Sequence, residues 1–166
     1  MTVEEIIKKL NLVPLPEEGG YYRETFRDFG VIPGSALPLH GGERSYSTCS
    51  YYLITQEQCS GLHVVKSAEI FHHYAGDPVR MIQMDEKGNL SEIILGSDFM
   101  NGESPQVVVP PYIWQGTKLL PSGEWALLGC TVAPGFEFED FKGATFDELS
   151  TQFPQHENLI RDYTHS

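Results

Sequence analysis

Turn signals recur at short intervals from residue 46 to residue 132, and the stretches between them are rich in Val, Ile, Thr, Tyr and Leu. Asp77-Pro78, Glu86-Lys87-Gly88-Asn89, Asn101-Gly102 and Ser122-Gly123 are the punctuation. Glycine and proline interrupt regular structure, and Asn and Asp fold back on their own backbone. The segments between read as strands at about 46–55, 61–66, 69–75, 79–84, 90–95, 106–110, 113–119 and 125–132. A further strand, about 20–27, is released by Gly19-Gly20. Many short strands at this spacing build a sandwich or a barrel. The expected fold is therefore all-β.

Helix is expected only at the two ends. Thr2-x-x-Glu5 is a capping box ahead of Ile6, Ile7 and Leu10, so a short helix begins the chain and stops near Asn11. Thr145, followed by Asp147 and Glu148, opens a C-terminal helical stretch that breaks at Pro154 and resumes to about Asp162. Residues 28–44 are Gly- and Pro-containing with no period, and are expected to form a long mobile loop. The 166 residues suffice for one domain with a real core, and no repeat or linker divides 1–166.

The chemistry concentrates in one stretch, Ser60 to Gly76, which holds His63, His72 and His73 of the six histidines. It reads as two strands joined at Lys66-Ser67-Ala68. Side chains on a strand alternate faces. His63 then shares a face with Val65. Glu69, Phe71 and His73 share a face on the second strand, opposite Ile70, His72 and Tyr74. If the corner keeps both strands in one sheet, His63 and Glu69 point into one cavity. Neutral imidazole titrates near working pH and can take a proton beside a carbonyl. Glu69 would orient it or contact ligand hydroxyls.

His63-x-Val65, three residues, Glu69, six residues, Gly76 resembles the first motif of the cupin superfamily, with Val65 in place of its second histidine. The second motif, Pro-x-Gly-x-x-His, falls on Pro110-Pro111-Tyr112-Ile113-Trp114-Gln115, with Tyr112 for the glycine and Gln115 for the histidine. The stretches Glu18 to Thr25, Phe71 to Pro78, Trp114-Gln115-Gly116 and Val132 to Phe141 are similar to one small cupin family, long catalogued as a domain of unknown function. The similarity runs from about Ile6 to Phe141. This resemblance narrows the expected all-β fold to an antiparallel β-barrel of jelly-roll type. That family is similar in fold to the dTDP-sugar epimerases, whose Arg-Gly-Leu-His word is echoed by Ser60-Gly61-Leu62-His63. Parity favours His73 as the pocket histidine, whereas the resemblance favours His72; a bulge would reconcile them.

Composition narrows the function classes. The formal net charge of −12 argues against nucleic-acid polymers, whose phosphates need a basic face. It leaves room for a small phosphorylated ligand held by a few arginines. No apolar run approaches the ~20 residues of a membrane span. The N-terminus carries no basic region followed by an apolar one. Cys49, Cys59 and Cys130 are an odd number without metal-site spacing, so reduced thiols in a cytoplasmic protein are expected. His40, His156 and His165 lie in loops or the tail and read as solvent histidines.

These readings give a catalytic pair, His63 and Glu69, and a ligand-binding set, Arg23, Glu24, Phe71, His72, Trp114 and Gln115. Arg23 would hold phosphate or carboxylate. Phe71 would stack on a ring. The first functional expectation is a metal-independent epimerase or isomerase acting on a nucleotide sugar or related sugar, with His63 as base. The second is a metal-dependent cupin oxygenase or isomerase using His63, Glu69 and Gln115; only one imidazole in register weakens it. The third is a non-catalytic cupin that binds a nucleotide or sugar. Strand 20–27 needs a partner edge, and the resemblance implies N-terminal strands reaching into a neighbour, so a homodimer is expected.

Overall fold

The computed structural model describes residues 1–164. The chain starts with helix α1, Val3–Leu10, whose capping box is complete: the Glu5 amide donates to Thr2 Oγ1 at 3.2 Å and the Thr2 amide to Glu5 Oε2 at 2.8 Å. Asn11 ends it in the left-handed region, as a short polar side chain can. Strands β1 (Val13–Pro14), β2 (Tyr21–Arg27), β3 (Val31–Ile32), β4 (Arg44–Ser45), β5 (Thr48–Thr55), β6 (Ser60–Val65) and β7 (Ala68–Gly76) follow. The run continues through β8 (Val79–Met84), β9 (Leu90–Leu95), β10 (Gln106–Val109), β11 (Trp114–Leu119), β12 (Trp125–Ala133) and β13 (Phe141–Gly143). Helices α2 (Phe146–Gln152) and α3 (Glu157–Asp162) close the chain, separated by a tight turn at Pro154, which cannot continue a helix.

Two antiparallel sheets carry the fold, in the orders β1-β2-β5-β12-β7-β10 and β13-β6-β11-β8-β9. Between them lies the main core, with Tyr52, Phe71, Leu128 and Cys130 from the first sheet facing Val79, Met81 and Leu95 from the second. The outer face of each sheet is covered where a helix crosses it. Ile6 and Leu12 pack on Leu53, while Leu149, Phe153 and Ile160 pack on Leu62, Ile82 and Trp114. Alternation explains both layers at once. Leu62 and Trp114 turn out toward α2 and α3, and their neighbours His63 and Gln115 turn in. The all-β jelly-roll expectation holds, and so does helix at the two ends.

Two backbone positions show why motif residues recur. Gly76 has φ +87°, and a Cβ there would sit 2.4 Å from the Trp125 carbonyl oxygen. Tyr112 occupies the glycine place of the second motif and still takes φ 62°, the left-handed turn that place demands.

Three expectations need correction. Residues 28–44 are not a free loop. β3 pairs with β4, and the fully buried Arg44 guanidinium grips Asp140 with two bonds of 2.7 Å while also donating to the His40 and Glu43 carbonyls. Composition hid this, because the partner lies near the far end of the chain. His40 is buried, with Nε2 at 3.0 Å from Ser67 Oγ, and His156 Nε2 donates to the Gly88 carbonyl; neither is a plain solvent histidine. His165 lies outside the described residues. Strand β2 has β5 on one edge and β1 on the other, with β1 pairing only Tyr21 and Tyr22. The edge argument for a second copy therefore narrows to the residues beyond Tyr22.

Breaking a buried ion pair from one side strands a charge in low dielectric. Asp140→Ala should therefore cost about 3–5 kcal/mol, read as a lower urea midpoint at unchanged denaturant slope.

Candidate functional site

Between the sheets, next to the main core, is a chamber of about 60 Å³ whose wall includes Glu18, Glu24, Glu69, Tyr22, Tyr52, Phe71 and Cys130. Glu69 and Phe71 arrive from β7, Tyr52 from β5 and Cys130 from β12, each on the inward parity. Glu18 arrives differently. It precedes β2 in a tight turn where Glu17, Gly19 and Gly20 all have positive φ. Gly20 runs so close to Tyr52 that a Cβ would lie 2.7 Å from its ring. The Gly61 amide donates to the Glu18 carbonyl oxygen at 2.8 Å, and Ser60 Oγ donates to Glu18 Oε1 at 2.9 Å. The serine that stands where the epimerase word has arginine thus anchors a carboxylate.

His63 lies behind this wall, 1% exposed. Its Nδ1 is 2.8 Å from the Gly61 carbonyl oxygen, which can only accept, so Nδ1 carries a proton. Nε2 points between two carboxylates, 4.0 Å from Glu18 Oε1 and 3.9 Å from Glu69 Oε2. Gln115 sits opposite His63 across the β6–β11 ladder, and its amide nitrogen donates to Glu69 Oε2. The Cys130 thiol donates to Glu69 Oε1 at 3.6 Å. The Phe141 ring stacks on the imidazole at 5.1 Å.

Burial sets the charge states first. It pulls the His63 imidazole down, but Glu18, the bond to Glu69, the Glu69 charge and the Gly61 carbonyl together outweigh it and push the pKa up to about 9. Burial raises the Glu18 carboxyl, against the opposing pull of His63 and with the help of the Glu69 charge. Burial also holds the Tyr52 hydroxyl and the Cys130 thiol well above their usual ranges, so both keep their protons. The centre is therefore an imidazole that favours its charged form, set between Glu69 and a Glu18 carboxyl that burial pulls toward its protonated form, with protonated thiol and phenol beside it. Such a centre can take a proton from a substrate at one acid and return one from the other, with the imidazole relaying between them.

Of the residues singled out by sequence, His63, Glu69 and Gln115 form one cluster, and Glu24 and Phe71 line the same chamber. His63 is not on the chamber wall, contrary to the expectation of direct contact with a ligand; Glu69 and Glu18 line the wall instead. Arg23 is on the opposite face of the first sheet, over the Tyr51 ring at 5.5 Å. His72 is on that outer face too, between Gln106 and Thr131, stacked on Tyr74. A bulge does interrupt β7, but at Tyr74, after both histidines. His73 Nε2 is 3.1 Å from the Asp77 carbonyl oxygen. Trp114 belongs to the core beneath α2 and α3. Glu18 and Cys130 are residues of this cluster that the sequence reading passes over, and Tyr52 is one of five tyrosines (Tyr21, Tyr22, Tyr51, Tyr52, Tyr74) that the sequence offers as possible proton donors. The available signal was Gly19-Gly20 directly after an acid, a turn able to aim a carboxylate inward.

A double-sheet antiparallel barrel with its titratable centre on the first-motif strand pair defines a cupin, a fold of small-molecule-binding proteins. The chain belongs to the family described as Cupin superfamily (DUF985), which matches residues 4–144. It is 30% identical over 149 residues to the uncharacterized protein YML079W of Saccharomyces cerevisiae, covering 84% of this chain and 73% of the yeast protein. A hypothetical protein from Leishmania major has a TM-score of 0.91 at 30% identity, over 100% of both chains. Protein SO0799 from Shewanella oneidensis has a TM-score of 0.89 at 27% identity, over 99% of this chain and 98% of that one.

The metal associated with the cupin motifs does not fit these residues. Val65 supplies no donor, and the amide nitrogen of Gln115 is turned to Glu69. Zinc and iron sites take three or more suitable ligands. Among the described residues no group of three or more His, Cys, Asp or Glu side chains could hold a metal ion. No helix among them is long and apolar enough to cross a membrane.

The raised His63 pKa has a testable sign. Its folded value of about 9 exceeds the ordinary 6.5, so its stabilising contribution is full below pH 6.5 and fades as pH rises through 9. The His63 Hε1 resonance should titrate near pH 9, and Glu18→Gln should move that midpoint down. His63→Gln should flatten the loss of stability between pH 6.5 and 9.

Proposed function

We propose that this cupin is a metal-independent isomerase or epimerase, moving a proton at a carbon next to a carbonyl in a sugar-type substrate. The observation that carries the reading is the single imidazole Nε2 held between two carboxylates of the chamber wall, 4.0 Å and 3.9 Å away. Glu69 accepts the carbon-bound proton, and the electron pair of the broken C–H bond moves onto the carbonyl oxygen to give an enolate. Glu18, whose carboxyl is raised by burial, is the group that returns a proton to the enolate carbon. Protonation of the same carbon from its other side gives an epimer; protonation of the neighbouring carbon gives an isomer. No electrons leave the substrate, so no redox partner is needed.

His63 acts through the carboxylates. Fixed by the Gly61 carbonyl, its imidazolium offsets their mutual repulsion and carries a proton from one to the other. Gln115 keeps Glu69 from turning, and the Tyr52 hydroxyl, bonded at 2.8 Å to the Gly19 carbonyl, holds the turn that presents Glu18. The nucleotide sugar implied by the epimerase resemblance is one substrate of this class.

Deuterium incorporation at carbon in D₂O reports the proton transfer whatever product forms. Across a panel of aldoses, ketoses and nucleotide sugars, the wild type should exchange at least one member. Glu69→Gln should lower that exchange by about 10²–10⁴-fold with the circular dichroism spectrum unchanged. Exchange that persists at the wild-type rate in Glu69→Gln would remove the carboxylate from the reaction.

A further inference from the structure

The chamber is not the whole of the pocket. A second space, about 310 Å³, is lined by Leu15, Pro16, Glu17, Glu18, Phe136, Phe138 and Phe141. Leu15, Glu18 and Phe136 line both spaces, so the two adjoin with only these side chains between them. Ligand pockets generally span roughly 300–1,000 Å³. At 60 Å³ the inner chamber admits only the reacting end of a molecule, and the outer space must take its bulk. That outer space is built from phenylalanine. Phe138 is 56% exposed, with its ring edge-on to Phe136 and near Tyr22. Phe141 stacks on His63, so whatever rests on Phe141 is one ring away from the titrating centre.

Charge selects further. Among the described residues, the side chains lining the two spaces include the acids Glu17, Glu18, Glu24 and Glu69 and no Lys or Arg. The guanidinium at the rim belongs to Arg27, brought to the chamber side by a bulge in β2 between Glu24 and Phe26. It is already engaged, with two bonds of 2.9 Å to Glu24, one of 2.7 Å to Glu137 and one of 3.0 Å to the Phe136 carbonyl. A phosphate entering here would meet carboxylates, and would have to displace one from Arg27. Hydroxyl groups would instead donate to those carboxylates, and a planar ring would gain contact with the phenylalanines.

We infer that the outer space is an aromatic-ring subsite, and that the ligand is an unphosphorylated keto-sugar head joined directly to a planar ring. The inference rests on the reading of the inner chamber as the reacting site, and it narrows the substrate away from nucleotide diphosphate sugars toward aryl or heteroaryl glycosides whose sugar carries its carbonyl at a ring carbon other than the glycosidic one; plain glycosides serve as non-reacting binding probes.

The test is a calorimetric titration of the full chain with matched phenyl and methyl glycosides of common pentoses and hexoses, with UDP-glucose and glucose 1-phosphate alongside. At least one phenyl glycoside should bind about tenfold more tightly than its methyl partner, the increment of roughly one good ring contact. Phe138→Ala should reduce that ratio to about threefold or less, and should leave the methyl glycoside unaffected. Binding of the phenyl glycoside should also shift the His63 Hε1 resonance through Phe141. The phosphorylated sugars should bind more weakly than any phenyl glycoside that binds. Equal or tighter binding of UDP-glucose, a phenyl-to-methyl ratio unchanged in Phe138→Ala, or no binding by any glycoside would overturn the inference. These are binding measurements. Failure of deuterium exchange would sink the catalytic reading alone, whereas tight UDP-glucose binding with exchange intact would sink this one alone.

Discussion

Two carboxyl groups can stand side by side in the apolar interior of this barrel because an imidazole that favours its charged form lies between them. Each charge taken from water carries a desolvation cost of several kcal/mol, and a like-charged neighbour adds to it. His63 lies within 4.0 Å of both acids and opposes the burial cost at Glu18 without cancelling it, and the Gly61 carbonyl fixes which nitrogen it offers. The residues around the trio answer the demands of that arrangement. Ser60 and Gln115 use up carboxylate lone pairs, and the thiol of Cys130 takes another. A buried polar cluster satisfied in this way is rigid as well as tolerable, which is the condition for directed proton transfer.

Bringing the acids to the imidazole uses separate devices. Glu69 needs only strand alternation and a short corner between β6 and β7. Glu18 needs a chain reversal with positive-φ residues on both sides of it, and a main-chain bond to β6 that pins the turn to the strand carrying His63. The N-terminal segment is therefore part of the site although it contributes little to the main core. The same economy places Arg27: one extra residue in β2 turns a side chain that plain alternation would send outward.

What could be read from the sequence was what short-range rules govern. Capping residues marked α1 and α2, turn pairs marked the strands, and period two turned His63 and Glu69 inward, where they meet at 3.9 Å although β6 and β7 belong to different sheets and His63 stays off the chamber wall. Period two also put His72 on the outer face, where it lies. What escaped was long-range or exceptional. Arg23 drew attention as a cation in an acidic chain, but its parity faces it away from the pocket. Glu18 meets His63 from a distant part of the sequence, and no local pattern announces such a meeting. The stretch from 28 to 44 looked unstructured because its anchor, Asp140, is supplied by the opposite end of the chain.

That anchor has a further consequence. Asp140 is flanked by the segment bearing Phe138 and Phe141, two walls of the outer space, and Arg44 holds it in place from a hairpin that lines neither space. The hairpin thus works as a distant tuning screw. Its length and stiffness set how firmly the aromatic wall stands, so relatives could diverge in ligand preference by altering residues 28–45 while every pocket side chain stays the same.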